Sequence, residues 1–250
     1  MTTAFKDKSV LITGGGSGTG ADMALAFAQA GAEVIISGRR QEALDRVAAQ
    51  HAAIRTVVAD VSDEAQVETL FGAAGTPDIV IANAGIADSN RLVNTPLEQW
   101  NRILAVNLTG VFLTFRAGLR ALHGKPWGRL IAVASIAGLR GHAYASAYAA
   151  SKHGVLGLVR STALETAQQG ITVNAVCPAY LDTEMTAQTI ANVMDKTGRS
   201  REQVIASLCK HNPQGRLIAA SEVTATVLWL CSEGAASING QAITLDGGQA

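Results

Sequence analysis

Short apolar runs rich in β-branched residues alternate along this chain with longer stretches whose apolar positions recur at helical spacing. The short runs predict strands at 9–13 (SVLIT), 33–37 (EVIIS), 54–58 (IRTVV), 78–82 (DIVIA), 129–135 (RLIAVAS), 171–176 (ITVNAV) and 241–245 (QAITL). Several lack the apolar-polar alternation of a strand with one wet face, so they read as strands covered on both sides. Between them the pattern predicts helices near 18–30, 40–50, 63–73, 97–123, 145–169 and 221–232. Strand-helix alternation at this spacing requires right-handed crossovers and predicts an α/β fold with a doubly wound, parallel, seven-stranded sheet.

No linker, repeat or low-complexity tract interrupts the alternation, so residues 1–250 read as a single domain. One stretch breaks the rhythm, at 178–215, between the sixth strand and the last helix. Insertions of that length are usually lids or binding loops, and 181–212 is the candidate substrate lid. Its apolar positions Ile190, Val193, Met194, Val204, Ile205 and Leu208 predict two short helices with a greasy face, separated by Gly198 and Ser200.

Composition narrows the function classes. Hydrophobic residues make up 48% of the 250 and charged ones 16%, the balance of a packed globular chain. Twenty basic residues offset twenty acidic ones, which gives nucleic acid or an anionic membrane no electrostatic purchase. The start, MTTAFKDKSVLIT, has no apolar stretch behind a basic end and reads as no signal peptide. Cys177, Cys209 and Cys231 are odd in number, far apart and outside any C-x-x-C pair, so the expectation is a reducing, cytoplasmic setting with no metal.

The candidate chemistry lies between Ser135 and Lys152, SIAGLRGHAYASAYAASK. Tyr148 and Lys152 are four apart in a helical stretch and therefore share a face. A phenol, with a pKa of about 10, works poorly as an acid or base near neutrality unless a cation such as Lys152 stabilises the phenolate. Ser135, at the end of an apolar run, could hold a carbonyl or alcohol oxygen while Tyr148 passes the proton. Tyr-x-x-x-Lys alone also describes an ordinary surface pair.

The glycine stretch after the first strand changes that reading. TGGGSGTG, at 13–20, runs from a strand into an amphipathic helix, where a tight turn and free N–H groups suit a pyrophosphate. Gly16, Gly18 and Ala21 fit G-x-G-x-x-G/A, and Thr13, Gly14, Gly18 and Gly20 fit T-G-x-x-x-G-x-G. The second strand ends in Ser37, Gly38, Arg39 and Arg40 without the acidic residue that would take ribose hydroxyls. Arginine suits a phosphate, so NADP(H) is favoured over NAD(H), with Arg39 on the 2′-phosphate. In the alternative, Arg39 stacks on adenine in an NAD enzyme and Arg40 opens the next helix.

With these motifs in place the chain resembles the short-chain dehydrogenase/reductase family nearly end to end. Residues 13–20, Asp60, Asn83-Ala84-Gly85, Asn107, Ser135, Tyr148, Lys152, Pro178, Thr183 and Asp246-Gly247-Gly248 fall in the family's order. The resemblance implies a Rossmann fold, with Gly14, Ser17, Gly18, Thr19 and Gly20 on the cofactor. It further implies Asp60 and Val61 on the adenine and Asn83, Ala84 and Gly85 along the ribose. Pro178, Leu181 and Thr183 would grip the nicotinamide carboxamide. Catalysis would fall to Asn107, Ser135, Tyr148 and Lys152, with Tyr148 as acid-base and Lys152 lowering its pKa and holding the nicotinamide ribose. Asn107 would break its helix locally and hold a relay water. A homotetramer is implied too. Two departures are Thr19, where the family usually has isoleucine, which places a hydroxyl near the nicotinamide, and Ala179, where it has glycine, which requires negative φ.

The resulting expectation is hydride transfer between nicotinamide and a secondary alcohol or ketone, of 3-oxoacyl or aryl/alkyl type. The alternatives are NAD-dependent alcohol oxidation and a catalytically idle nucleotide-binding subunit or redox sensor. The joint presence of Ser135, Tyr148, Lys152 and Asn107 argues against an idle subunit. Pocket walls are expected from 87–95, from Ile136, Ala137, Leu139, Arg140, His142 and Tyr144, and from the lid stretch at 180–212. The lid's Lys196, Arg199, Arg201, Lys210 and His211 either meet a carboxylate or coenzyme A phosphates or form a solvated face.

Overall fold

The computed structural model describes residues 4–249. Its strands are β1 (Ser9–Thr13), β2 (Glu33–Gly38), β3 (Ile54–Val58), β4 (Ile79–Ala82), β5 (Gly128–Val133), β6 (Ile171–Pro178) and β7 (Ala242–Leu245). All pair in parallel, in the order β3-β2-β1-β4-β5-β6-β7. The order reverses between β1 and β4, and open sheets of this kind bind ligands beyond the carboxyl ends of the strands at such a point.

Both faces of the sheet are covered, which is why several strands carry no apolar-polar alternation. Val10 and Ile12 of β1 pack with Met23 and Phe27 of α1 (Gly18–Gln29) and with Val223 and Val227 of α9 (Ala220–Cys231). Leu11, between them, points the other way, into a cluster with Val111 and Phe115 of α5 (Gly110–Leu122) and Val155 and Val159 of α6 (Ser146–Thr166). The remaining crossovers are α2 (Gln41–Ala48), α3 (Glu64–Ala74) and α4 (Leu97–Leu104).

The predicted single helix over 97–123 is interrupted. Between α4 and α5 the backbone opens into a π turn, Ala105–Thr109, with Asn107 wholly buried inside it. The run Leu97–Leu122 has the length and hydropathy of a membrane span, but Val111, Leu113, Phe115 and Leu122 are buried in the protein core. β5 stops two residues before its predicted end because Ser135 starts a short 3-10 turn, Ile136–Gly138, its hydroxyl accepting from Ala137 N at 3.1 Å. β6 runs two residues further, to Pro178.

The inserted segment carries α7 (Glu184–Thr197) and α8 (Arg201–Cys209). Gly198 ends α7 at φ +67°, and Ser200 opens α8 through a capping box with Gln203. A bridge between Leu181 and Ile218 holds the base of the insert.

Candidate active site

Beyond the strand ends lies a cleft of about 590 Å³, walled by the loops that leave β1, β2, β4, β5 and β6 and by the insert. At its floor β1 ends in Thr13, whose hydroxyl accepts from Asn83 N (3.1 Å) and Ala84 N (3.2 Å). The next residue turns sharply: Gly14 has φ +68°, and a Cβ there would lie 2.8 Å from Ala84 Cα. Asn83 then closes the turn, its Nδ2 donating to Thr13 O (3.0 Å) and Gly14 O (3.1 Å). No acidic residue and no capping side chain occupies the first turn of α1, so its N–H groups and positive end face the cleft. This glycine cradle at a helix N-terminus fits a pyrophosphate.

Gly14, Ser17, Gly18 and Thr19 line the cleft, and Gly20 does not. Gly20 acts from below: a Cβ on it would lie 2.2 Å from Gly14 O, so glycine lets α1 approach the loop. Thr19 also departs from expectation, because its hydroxyl donates to Asn83 Oδ1 at 3.0 Å and is not left free toward a nicotinamide. Ala179 takes no positive φ, which removes the need for glycine there.

Arg39, Arg40, Asp60 and Val61 line the adenosine end. Arg39 Nη1 is 3.8 Å from Asp60 Oδ2, and its side chain is 66% exposed, a weak pair that leaves the guanidinium able to turn. Asp60 spends its other oxygen on Ser62 N (2.9 Å) and Ser62 Oγ (2.6 Å), so it also shapes the turn after β3.

Ser135, Tyr148 and Lys152 meet at the middle of the cleft, with Asn83, Ala84, Gly85, Pro178, Leu181 and Thr183 around them. The helix α6 delivers Tyr148 and Lys152 from one face. Lys152 is buried and its Nζ donates to Val133 O at 2.9 Å, which leaves two N–H groups unspent. Burial brings the ammonium down to about 8. Burial also pushes the Tyr148 phenol up, an effect the Ser135 hydroxyl offsets in part and Tyr180 adds to. Lys152 Nζ stands 5.7 Å from the centre of the Tyr148 ring, on the same face of α6.

Asn107 stands behind this group, outside the cleft wall. Its Oδ1 accepts from Ile86 N (2.8 Å), and its Nδ2 donates to Ile86 O (2.9 Å) and Ser151 Oγ (3.3 Å). A Cβ on Gly85 would approach Asn107 Oδ1 to 3.5 Å and Lys152 Nζ to 3.7 Å, so both polar groups face one spot. The π turn is what swings the Asn107 amide out of the helix ladder toward it.

Of the expected pocket walls, Ile136, Ala137, His142 and Tyr144 line the cleft and Leu139 and Arg140 do not. The insert adds Met185, Thr189, Val193 and Leu208. Ile190 and Val204 are buried within it instead. Its Arg199, Arg201, Lys210 and His211 are exposed and do not line the cleft; the side chain of Lys196 lies outside the described residues. Tyr180, at the start of the 180–212 stretch expected to supply a wall, lines the cleft too. Sequence reasoning missed Ile86 and Val106, ordinary apolar residues until folded.

Residues 14–250 match a family model described as Enoyl-(Acyl carrier protein) reductase. A D-beta-hydroxybutyrate dehydrogenase from Rhizobium meliloti is 36% identical over 255 residues, covering 96% of this chain and 98% of the relative. Among solved structures, Levodione Reductase superposes with a TM-score of 0.93 at 34% identity, covering 98% of each chain. A single-residue variant of Actinorhodin Polyketide Ketoreductase with NADPH gives 0.92 at 32% identity, covering 100% of this chain and 99% of that one.

Proposed function

Because this chain belongs to the short-chain dehydrogenase/reductase family, whose members carry out NAD(P)(H)-dependent oxidoreduction of small ketones and alcohols, we propose that Tyr148 is its acid-base at a secondary alcohol or ketone. The observation that carries this is the meeting of Ser135, Tyr148 and Lys152 in the middle of the cleft. A bound nicotinamide supplies the hydride donor or acceptor. The glycine cradle and the α1 N-terminus hold its pyrophosphate, and Pro178, Leu181 and Thr183 hold the carboxamide.

Ser135 accepts from Ala137 N and keeps its own proton as a donor, to Tyr148 or to a substrate oxygen set beside it. In reduction Tyr148 gives its proton to that oxygen as negative charge develops there, and the unspent N–H groups of Lys152 stabilise the phenolate left behind. Asn107 and Lys152 face a common spot where a water could pass protons back. The insert, with its apolar face over the cleft, serves as a lid that excludes water.

The test is the nicotinamide absorbance change on mixing purified protein with ketones or secondary alcohols and each cofactor. A neutral Tyr148 and a charged Lys152 favour reduction. Reduction should accordingly fall as pH rises through about 8, where Lys152 loses its proton, while oxidation should gain with pH because Tyr148 must then accept one. The pH profiles of kcat/KM in both directions check this, and a reduction limb that stays flat across that range would remove the Lys152 charge from the mechanism.

NADP(H) is the proposed cofactor over NAD(H). Arg39 and Arg40 stand at the end of β2 with no carboxylate at Ser37 or Gly38, and one of the similar solved structures holds NADPH. Arg39→Asp should weaken NADPH binding about tenfold to a hundredfold and improve NADH, because a carboxylate repels the 2′-phosphate and accepts from ribose hydroxyls. Titration of both cofactors by fluorescence reads this directly, and unchanged NADPH affinity would move phosphate recognition to Arg40 or dispense with it.

A further inference from the structure

Accepting Tyr148 as the acid-base, we propose that the substrate end of this cleft is built for an uncharged ring ketone, or the matching ring alcohol, held between Tyr144 and Tyr180. Carboxylates and phosphate-bearing thioesters are the substrates it disfavours.

The walls supply the first reason. Tyr144, Tyr180 and Met185 line this end and are 58%, 37% and 46% exposed, large apolar side chains left uncovered at the mouth of a cleft. Val193 and Leu208 of the insert extend the same surface. Flat rings bury such area efficiently and stack against aromatic faces with little loss of conformational freedom.

Charge supplies the second. The arginines and lysines lining the cleft are Arg39 and Arg40 at the adenosine end and the buried Lys152, whose hydrogen bonds are taken by Val133 O and the reaction itself. Among the described residues no further lysine or arginine lines it. Besides Asp60 at the adenosine end, the carboxylates bordering it are Glu184 and Asp88, the latter paired with Arg102 at 2.8 Å. His142 is held toward the neutral imidazole by its burial, with Arg140 and His211 adding repulsion. An anion placed here would lose its water and find no lysine or arginine among the residues that line this end.

Backbone strain supplies the third. Tyr144 sits at φ +66°, a left-handed conformation that a bulky side chain rarely adopts. Its carbonyl accepts from Asn90 N at 2.8 Å, which ties the loop after β4 to the loop after β5 and fixes where the ring stands. Strain that the surroundings hold in place beside a reacting centre is a mark of a positioned side chain. Tyr180 is fixed in turn by Ile218 N, which donates to its carbonyl at 2.9 Å.

Full-length protein with the preferred reduced cofactor should be assayed on tetralone, cyclohexanone, ethyl acetoacetate, acetoacetate and acetoacetyl-coenzyme A. The ring ketones should exceed acetoacetate and the coenzyme A thioester in kcat/KM by about tenfold or more, and the ester should exceed its acid. Tyr144→Ala should narrow the advantage of tetralone over ethyl acetoacetate by about tenfold, mostly through KM, and Tyr144→Phe should restore it. Since alanine also strains at this φ, Tyr144→Asn, at ease in the left-handed region, should repeat the loss. Acetoacetate preferred over both its ester and the ring ketones would overturn the inference while leaving the Tyr148 chemistry standing. An unchanged ratio in the Tyr144→Ala and Tyr144→Asn variants would overturn the role of the ring. No turnover of any carbonyl would overturn both readings.

Discussion

Tyr148→Phe should lower kcat by about a hundredfold to ten-thousandfold, the range removed with a positioned general acid, and leave cofactor affinity within about twofold. The phenyl ring retains the shape and the packing on α6, and the cradle that holds the cofactor lies at the ends of β1 and β4, which the change does not touch. Only the proton is lost. Ser135 cannot replace it, because an aliphatic hydroxyl can donate a hydrogen bond but is a far weaker acid than a phenol. KM should move little, since the effect falls on the transition state. Steady-state kinetics with a parallel fluorescence titration of cofactor separates the two quantities. Activity within about tenfold of the wild type would displace Tyr148 from the acid-base role.

Gly20→Ala should cost the protein its cofactor affinity although no atom of Gly20 lines the cleft. The added Cβ would stand 2.2 Å from Gly14 O and 2.6 Å from Asn83 Nδ2, distances at which backbone has to move. Either α1 withdraws from the loop or the Gly14 carbonyl turns, and both break the Asn83 Nδ2 hydrogen bond to Gly14 O. The expected result is at least about a tenfold rise in the cofactor dissociation constant and about 1–3 kcal/mol less stability, the usual cost of forced overpacking. Gly72→Ala in α3 is the matched control, since a Cβ there meets nothing within 4 Å and alanine is the better helix former. Urea unfolding and cofactor titration on the two variants give the comparison. Wild-type affinity in Gly20→Ala would show that the loop can yield without consequence.

The contrast between Gly20 and Thr19 shows where sequence reading stops. Both fall inside a motif that announces a nucleotide site, and both read as cofactor contacts. Folding turns Gly20 underneath and spends the Thr19 hydroxyl on Asn83, because Asn83, more than sixty residues along the chain, is brought beside them by the pairing of β1 with β4. The same holds for Ile86 and Val106, which carry no local signature and become walls only when loops from separate strands converge.

The amino-acid sequence by itself determined the seven strands and most of their covering helices, since short apolar runs rich in β-branched residues and bounded by turn residues fit strands buried on both faces. It also determined the chemistry on offer, a phenol and an ammonium one helical turn apart, a hydroxyl at a strand end and a glycine loop before a helix. Tertiary structure alone decided the protonation balance and the shape of the substrate end. Both depend on burial and on distances between residues remote in the chain: Lys152 is brought to about 8 by desolvation, one of its N–H groups is given to Val133 O, and Tyr144 and Tyr180 come to line one cleft because the loops after β5 and β6 leave neighbouring strands.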